Sequence, residues 1–142
     1  AAVADGTVDC IVTDHAPHAA HEKDCEWEIS YFGCIGLETS LPLMVTNMVR
    51  TNKLSFTGLV RAMSVNPRRI LRLEPVKIAA GYKADLTLFD PEKKVQITPE
   101  YFESKSKNSA FIGAELYGVA TDVFVDGKRV LANEVVVPGG EK

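Results

Sequence analysis

Residues 8–13, VDCIVT, form a short and almost unbroken apolar run that ends on an acid, Asp14. A half-exposed strand alternates apolar and polar residues. A run that is apolar throughout is expected for a strand covered on both faces, as in a parallel sheet or barrel. A strand of that kind needs neighbours on either side, and the next segment does not supply one. Residues 15–35 are a long connection holding Pro17, the charged stretch HEKDCEWE and Gly33. Connections of this length inside a compact domain are usually functional or mobile.

Beyond the connection the period changes. Leu37, Leu41, Met44, Val45, Met48 and Val49 recur at helical spacing, with Pro42 predicting either a kink or a helix that starts near it. Ser55 is the expected N-cap of a second short helix, and Pro67 marks the first turn of a third. From residue 76 the pattern becomes β-rich. A strand is predicted over 85–89 after a turn at Gly81, another within KKVQITPEYF, and a final pair joined by the hairpin signal Asp126-Gly127. The predicted organisation is therefore strand, loop and helices over 1–75, followed by a small β module over 76–142.

With 25% charged residues and a net charge of −3, nothing suggests a nucleic-acid partner. No apolar run reaches the length of a bilayer span, and no signal-peptide pattern opens the chain. Cys10, Cys25 and Cys34 are odd in number and form no C-x-x-C pair. They fit neither a disulfide framework nor a zinc ribbon, and are expected as small semi-buried residues in a reducing, cytoplasmic setting.

An aspartate at the carboxyl end of a parallel barrel strand lies on the face where such barrels place their active sites. Asp14 is thus a candidate general base, metal ligand or both, with a loop-pinning or N-capping role as the alternative. His15, His18 and His21 recur at three-residue intervals, but Pro17 interrupts them. An isolated zinc site made by the three is not expected, since no second shell of acids accompanies them. His18, directly after the proline, is suited to binding a carboxylate. His15 is expected to orient the loop, and His21 to be a solvated surface residue.

Together TDHAPH with the following EK, YFGCIGLETSLPL, VNPRRILRL, GYKADLTLFDP and SKSKNSAFIG resemble the C-terminal part of the bacterial class I dihydroorotases, within the amidohydrolase superfamily. The likeness runs from about residue 4 to about residue 131; DHAPH and SKSKN are specific, while the NP and ADL stretches recur in many amidohydrolases. The resemblance implies an α/β fold: the last strand and helices of a metal-dependent (β/α)8 TIM barrel, with an appended β module. It makes Asp14 the strand-eight aspartate that contacts a metal and shuttles the proton, and His18 the ligand of the substrate carboxylate. Phe32 and Gly33 become the loop pair whose backbone meets the dihydropyrimidine ring.

The implied reaction is the zinc-dependent, reversible hydrolysis of dihydroorotate to N-carbamoyl-L-aspartate in pyrimidine synthesis, with one or two Zn2+ per site. The implied partners are the small-molecule substrate, other copies of the same enzyme, and aspartate carbamoyltransferase. Hydantoinases and allantoinases share the scaffold, and non-catalytic dihydroorotase-like chains serve as carbamoyltransferase partners. Such a barrel usually takes about 250 residues, and the H-x-H pair of its first strand is not found in this sequence. The chain, which starts abruptly without methionine, is therefore expected to be roughly the last third of an enzyme and inactive alone. Lys105 and Lys107 are expected in a solvated basic loop packed by its serines and Asn108. Trp27 is a candidate for a lid or for partial burial at a loop or subunit contact, and Arg68 and Arg69 are expected at the surface or in salt bridges.

Overall fold

A computed structural model describes residues 2–141, with the side chain of Glu141 left aside. Helices occupy the first half and a four-stranded antiparallel meander, in sequence order, the second. A one-turn helix, α1 (Ala20–Lys23), lies within the long connection. Helix α2 (Leu37–Met44) runs straight into a wider π-turn over Val45–Val49. Pro42 lies inside α2 and does not start it. Its missing N–H withholds the usual helical bond from the Glu38 carbonyl, and the Tyr101 hydroxyl donates to that carbonyl at 3.1 Å instead. The Glu38 carboxylate accepts the N–H groups of Glu103 (2.7 Å) and Ser104 (3.2 Å), which ties the start of α2 to the stretch beyond the first strand.

Ser55 caps α3 (Phe56–Val60) as its residue type predicts, its Oγ accepting the Gly58 N–H at 3.1 Å. The two further helices expected from the sequence are one run. Phe56–Val60, a π-turn over Arg61–Val65 and α4 (Asn66–Ile70) follow one another without a break in helical backbone. Pro67 sits in the first turn of α4, where a missing N–H costs least.

The predicted strand over 8–13 is not paired into a sheet. The physical reason is that a strand exists through its ladder bonds, and no described residue lies beside it as a strand partner. The segment is fixed singly instead, for example by the Ile11 N–H on the Ala62 carbonyl at 2.9 Å. The two strands expected over 85–89 and within 93–102 are one, β1 (Leu86–Gln96). It passes Pro91 through a bulge in which the Asp90 carboxylate accepts the N–H groups of Glu92 (2.8 Å) and Lys93 (3.2 Å). β2 (Glu115–Val125) and β3 (Lys128–Ala132) meet at Asp126 (φ 50°) and Gly127 (φ 77°), the mirror-image two-residue turn that Asp-Gly favours. A second such turn, Asn133 (φ 48°) and Glu134 (φ 68°), leads to β4 (Val135–Glu141).

The helices pack on β1 and β2. Val45, fully buried in the π-turn, lies directly over Gly118, where a Cβ would come within 2.7 Å of its side chain. Beside it the Thr46 hydroxyl accepts the Tyr117 N–H at 2.7 Å, and the Arg50 guanidinium covers the Tyr117 ring at 3.8 Å. A second core cluster joins Ile35, Ile97, Phe102 and Leu116. Burying each of these side chains contributes about 1.5–3 kcal/mol. Ile35 is the anchor that matters for the site, because it closes the long connection.

Candidate functional site

Two lengths of irregular chain, residues 14–18 and 31–34, come together and are held there by a third. The Ala16 N–H donates to the Cys34 carbonyl at 3.0 Å. His18 Nε2 lies 2.8 Å from the Phe32 carbonyl oxygen. Since a carbonyl only accepts, this bond places the imidazole proton on Nε2. The His18 ring also stacks on Tyr31, with centroids 5.5 Å apart, and its Nδ1 faces Glu22 at 3.7 Å. Gly33 has a φ of +99°, and a Cβ there would meet the Ala16 side chain at 2.6 Å. Both backbone sign and space therefore demand glycine at this point.

The carbonyls of the 31–33 turn are all engaged. Lys23, at the end of α1, donates its ammonium to the Tyr31 carbonyl (2.6 Å) and the Gly33 carbonyl (3.3 Å). His18 takes that of Phe32. Among the described residues the N–H groups of Phe32 and Gly33 have no acceptor, and the Phe32 ring is 94% exposed. A turn whose acceptors are consumed and whose donors are open is suited to a ligand that brings carbonyl or carboxylate oxygens.

Of the residues singled out from the sequence, the structure thus joins His18, Phe32 and Gly33. It does not bond Asp14 to them. Asp14 is exposed, has a left-handed backbone (φ 45°), and makes no side-chain hydrogen bond or ion pair with a described residue. The pinning and capping alternatives for its carboxylate therefore find no partner here. His15 orients the loop, as expected: its Nδ1 accepts the N–H groups of Gly36 (3.1 Å) and Leu37 (3.3 Å). It thereby caps α2, whose own N-cap, Gly36, has no side chain to do so. His21 is exposed.

No three His, Cys, Asp or Glu side chains among the described residues cluster as a metal-ion ligand set. At the candidate site the described residues offer an ion one unpaired carboxylate, Asp14, and by themselves do not fit one. Cys10 and Cys34 are half-buried free thiols as expected, whereas Cys25 is exposed. Trp27 is 88% exposed and so is not buried at a loop contact within this chain. Arg69 reaches Asp9 at 3.7 Å across the surface. Among the described residues no helix is long and apolar enough to cross a membrane.

Two residues that hold these segments together escape a reading of local sequence. Lys23 looks like one of several charges in a polar stretch. Asn108 lies 92 residues after the Ala16 carbonyl to which it donates. Only its place in SKSKN hinted at packing, and nothing local told what it packs against.

The amidohydrolase family profile matches residues 1–130. The dihydroorotase of Chlorobaculum tepidum is 43% identical over 127 residues, which is 89% of this chain but 29% of that protein. That of Clostridium acetobutylicum is 42% identical over 130 residues, 92% of this chain and 31% of the relative. Among solved structures, the L-hydantoinase (dihydropyrimidinase) of Arthrobacter aurescens superposes with a TM-score of 0.87 at 30% identity, covering 96% of this chain and 31% of its own. The chain thus spans about a third of the length of the proteins it matches. Dihydroorotases of this family are generally metal-dependent. With a match over nearly all its residues and helices and sheet that superpose on the closing part of a (β/α)8 enzyme, the chain belongs to the amidohydrolase family.

Proposed function

We propose that this chain is the C-terminal portion of a dihydroorotase that catalyses the reversible, zinc-dependent hydrolysis of (S)-dihydroorotate to N-carbamoyl-L-aspartate. The observation that carries this reading is the 43% identity to a dihydroorotase over 127 residues, against 30% to the superposed hydantoinase. Residues 1–75 then close the barrel and residues 76–142 form the β module, in a cytoplasmic enzyme of pyrimidine synthesis that associates with its own copies.

On this reading the Asp14 carboxylate takes a proton from the attacking water and returns it to the leaving ring nitrogen. The open N–H groups of Phe32 and Gly33 receive acceptor groups of the ring. His18 receives the substrate carboxylate; to do so through Nε2 it exchanges the Phe32 carbonyl for the ligand. Zinc, one or two ions per site, supplies an acidified water in such enzymes. Asp14 is the one donor this chain adds to that ligand set, and the remaining donors are sought in the rest of the enzyme.

The test is ring opening of dihydroorotate by the full-length protein carrying this chain, with and without Asp14→Asn. Loss of a proton-transfer group is expected to lower kcat by about 10²–10⁴-fold. A protein that opens hydantoins but not dihydroorotate would support the hydantoinase reading, which the superposed fold favours. A protein that opens neither, yet binds aspartate carbamoyltransferase, would instead be a non-catalytic partner of that enzyme.

A further inference from the structure

The two segments of the candidate site, residues 14–18 and 31–34, have no secondary structure of their own, yet their geometry is over-determined from one point. Asn108 donates its side-chain amide to the Ala16 carbonyl at 3.0 Å and to the Gly33 carbonyl at 3.4 Å. Its Oδ1 accepts the His18 N–H at 3.3 Å, and its main-chain carbonyl accepts the Ile35 N–H at 3.1 Å. Ser106 adds a hydroxyl 2.7 Å from the His18 carbonyl and in contact with Asn108 Oδ1. An amide side chain has two donors and one oxygen. Here both donors and the oxygen reach the two halves of the candidate site, the oxygen being shared with the Ser106 hydroxyl.

We propose that Asn108, assisted by Ser106, is the positioning residue for substrate recognition: it sets the spacing between His18 and the Phe32–Gly33 donors without touching the substrate. The proposal rests on the dihydroorotase reading above. Its force is directional. Holding the Gly33 carbonyl fixes the end of the turn whose Tyr31 and Phe32 carbonyls, held by Lys23 and His18, face away from the Phe32 and Gly33 N–H groups across the same peptide planes. Holding the Ala16 carbonyl and the His18 N–H fixes where the imidazole stands. Both groups bind substrate in that reading, whereas the proton is moved by Asp14, which Asn108 does not contact. Losing the clamp therefore weakens binding more than it slows chemistry.

The decisive variant is Asn108→Asp in the full-length protein. It keeps the shape and the acceptor but sets a carboxylate oxygen against the Ala16 and Gly33 carbonyls. The expected result is a KM for dihydroorotate raised by about tenfold or more with kcat within about threefold. Amide exchange over residues 31–35 should also quicken. Lys105→Ala, an exposed neighbour outside the clamp, should change neither. Should Asn108→Asp fail to fold, Ser106→Ala removes only the hydroxyl and is expected to raise KM by about threefold. The proposal is overturned by faster exchange with an unchanged KM, which marks a structural role alone. A fall in kcat at constant KM, or no change in either, overturns it equally. A full-length protein that does not turn over dihydroorotate removes the reading and the proposal with it. An active one whose clamp variants keep their KM removes the proposal alone.

Discussion

Replacing Tyr101 by Phe should destabilise the protein, and by an amount that depends on a residue far from it in sequence. Pro42 gives α2 no N–H to offer the Glu38 carbonyl, and the Tyr101 hydroxyl fills the gap at 3.1 Å. Removing one partner from a buried hydrogen bond costs about 1–3 kcal/mol. Tyr101 is only partly buried, so water can reach part of the site and the lower half, about 1–2 kcal/mol, is expected. Pro42→Ala restores the helical donor to the same carbonyl. In that background the hydroxyl is a second donor to an acceptor already served, and its loss should cost about 0.5 kcal/mol or less. Pro42→Ala also changes ring packing and helix propensity, but these terms cancel in a double-mutant cycle. Urea unfolding of the four proteins measures the coupling, expected near ~1 kcal/mol. Tyr101→Phe costing the same in both backgrounds, within about 0.3–0.5 kcal/mol, would refute the idea that the hydroxyl stands in for the missing N–H.

Gly118→Ala should cost about 2–5 kcal/mol, since it adds a left-handed alanine to an overpacked contact with Val45; a melting temperature equal to the parent's would contradict the close approach of helix and sheet. Ser55→Ala should lose about 1 kcal/mol, with Ser55→Asp retaining most of it, as read by thermal unfolding. The Arg129 side chain, with lesser help from Thr121, holds the Asp122 carboxyl below the usual carboxylate range. Its contribution is therefore complete above the ordinary aspartate value and fades as pH falls through that value toward the lowered one. Asp122→Asn should flatten this part of the acid limb in a pH series of melting temperatures, and an unaltered limb would speak against the pair.

Legibility in the sequence followed the range of the forces involved. Ser55, the Asp126-Gly127 turn and the apolar period of α2 act within a few residues, and each was readable. The run over 8–13 was read as a strand because its residues suit a buried one, but ladder bonds belong to neighbours, and composition cannot show whether those are present. The strands expected over 85–89 and within 93–102 were read as separate, whereas the Asp90 carboxylate carries one strand, β1, across Pro91 between them. The Asn133-Glu134 turn lacks the glycine that makes such turns visible. At the site, His18 could be singled out from the residues and Phe32 and Gly33 only through resemblance. The bond from His18 to Phe32 depends on a fold that brings two loops together, and no local pattern encodes it.

The clamp on the substrate loop has a meaning for how such proteins can be recombined. His18 is held from Ser106 and Asn108, across 88 and 90 residues of chain, so the loop and its support lie in opposite halves of the sequence. A chimera joined near residue 75 would pair one parent's loop with another parent's clamp, however well each half folds. Functional exchange then requires that the stretch around 104–108 travel with the loop, or that the two parents agree there. Homologues should accordingly drift in concert at these distant positions while the exposed ring of Phe32 is left free to vary.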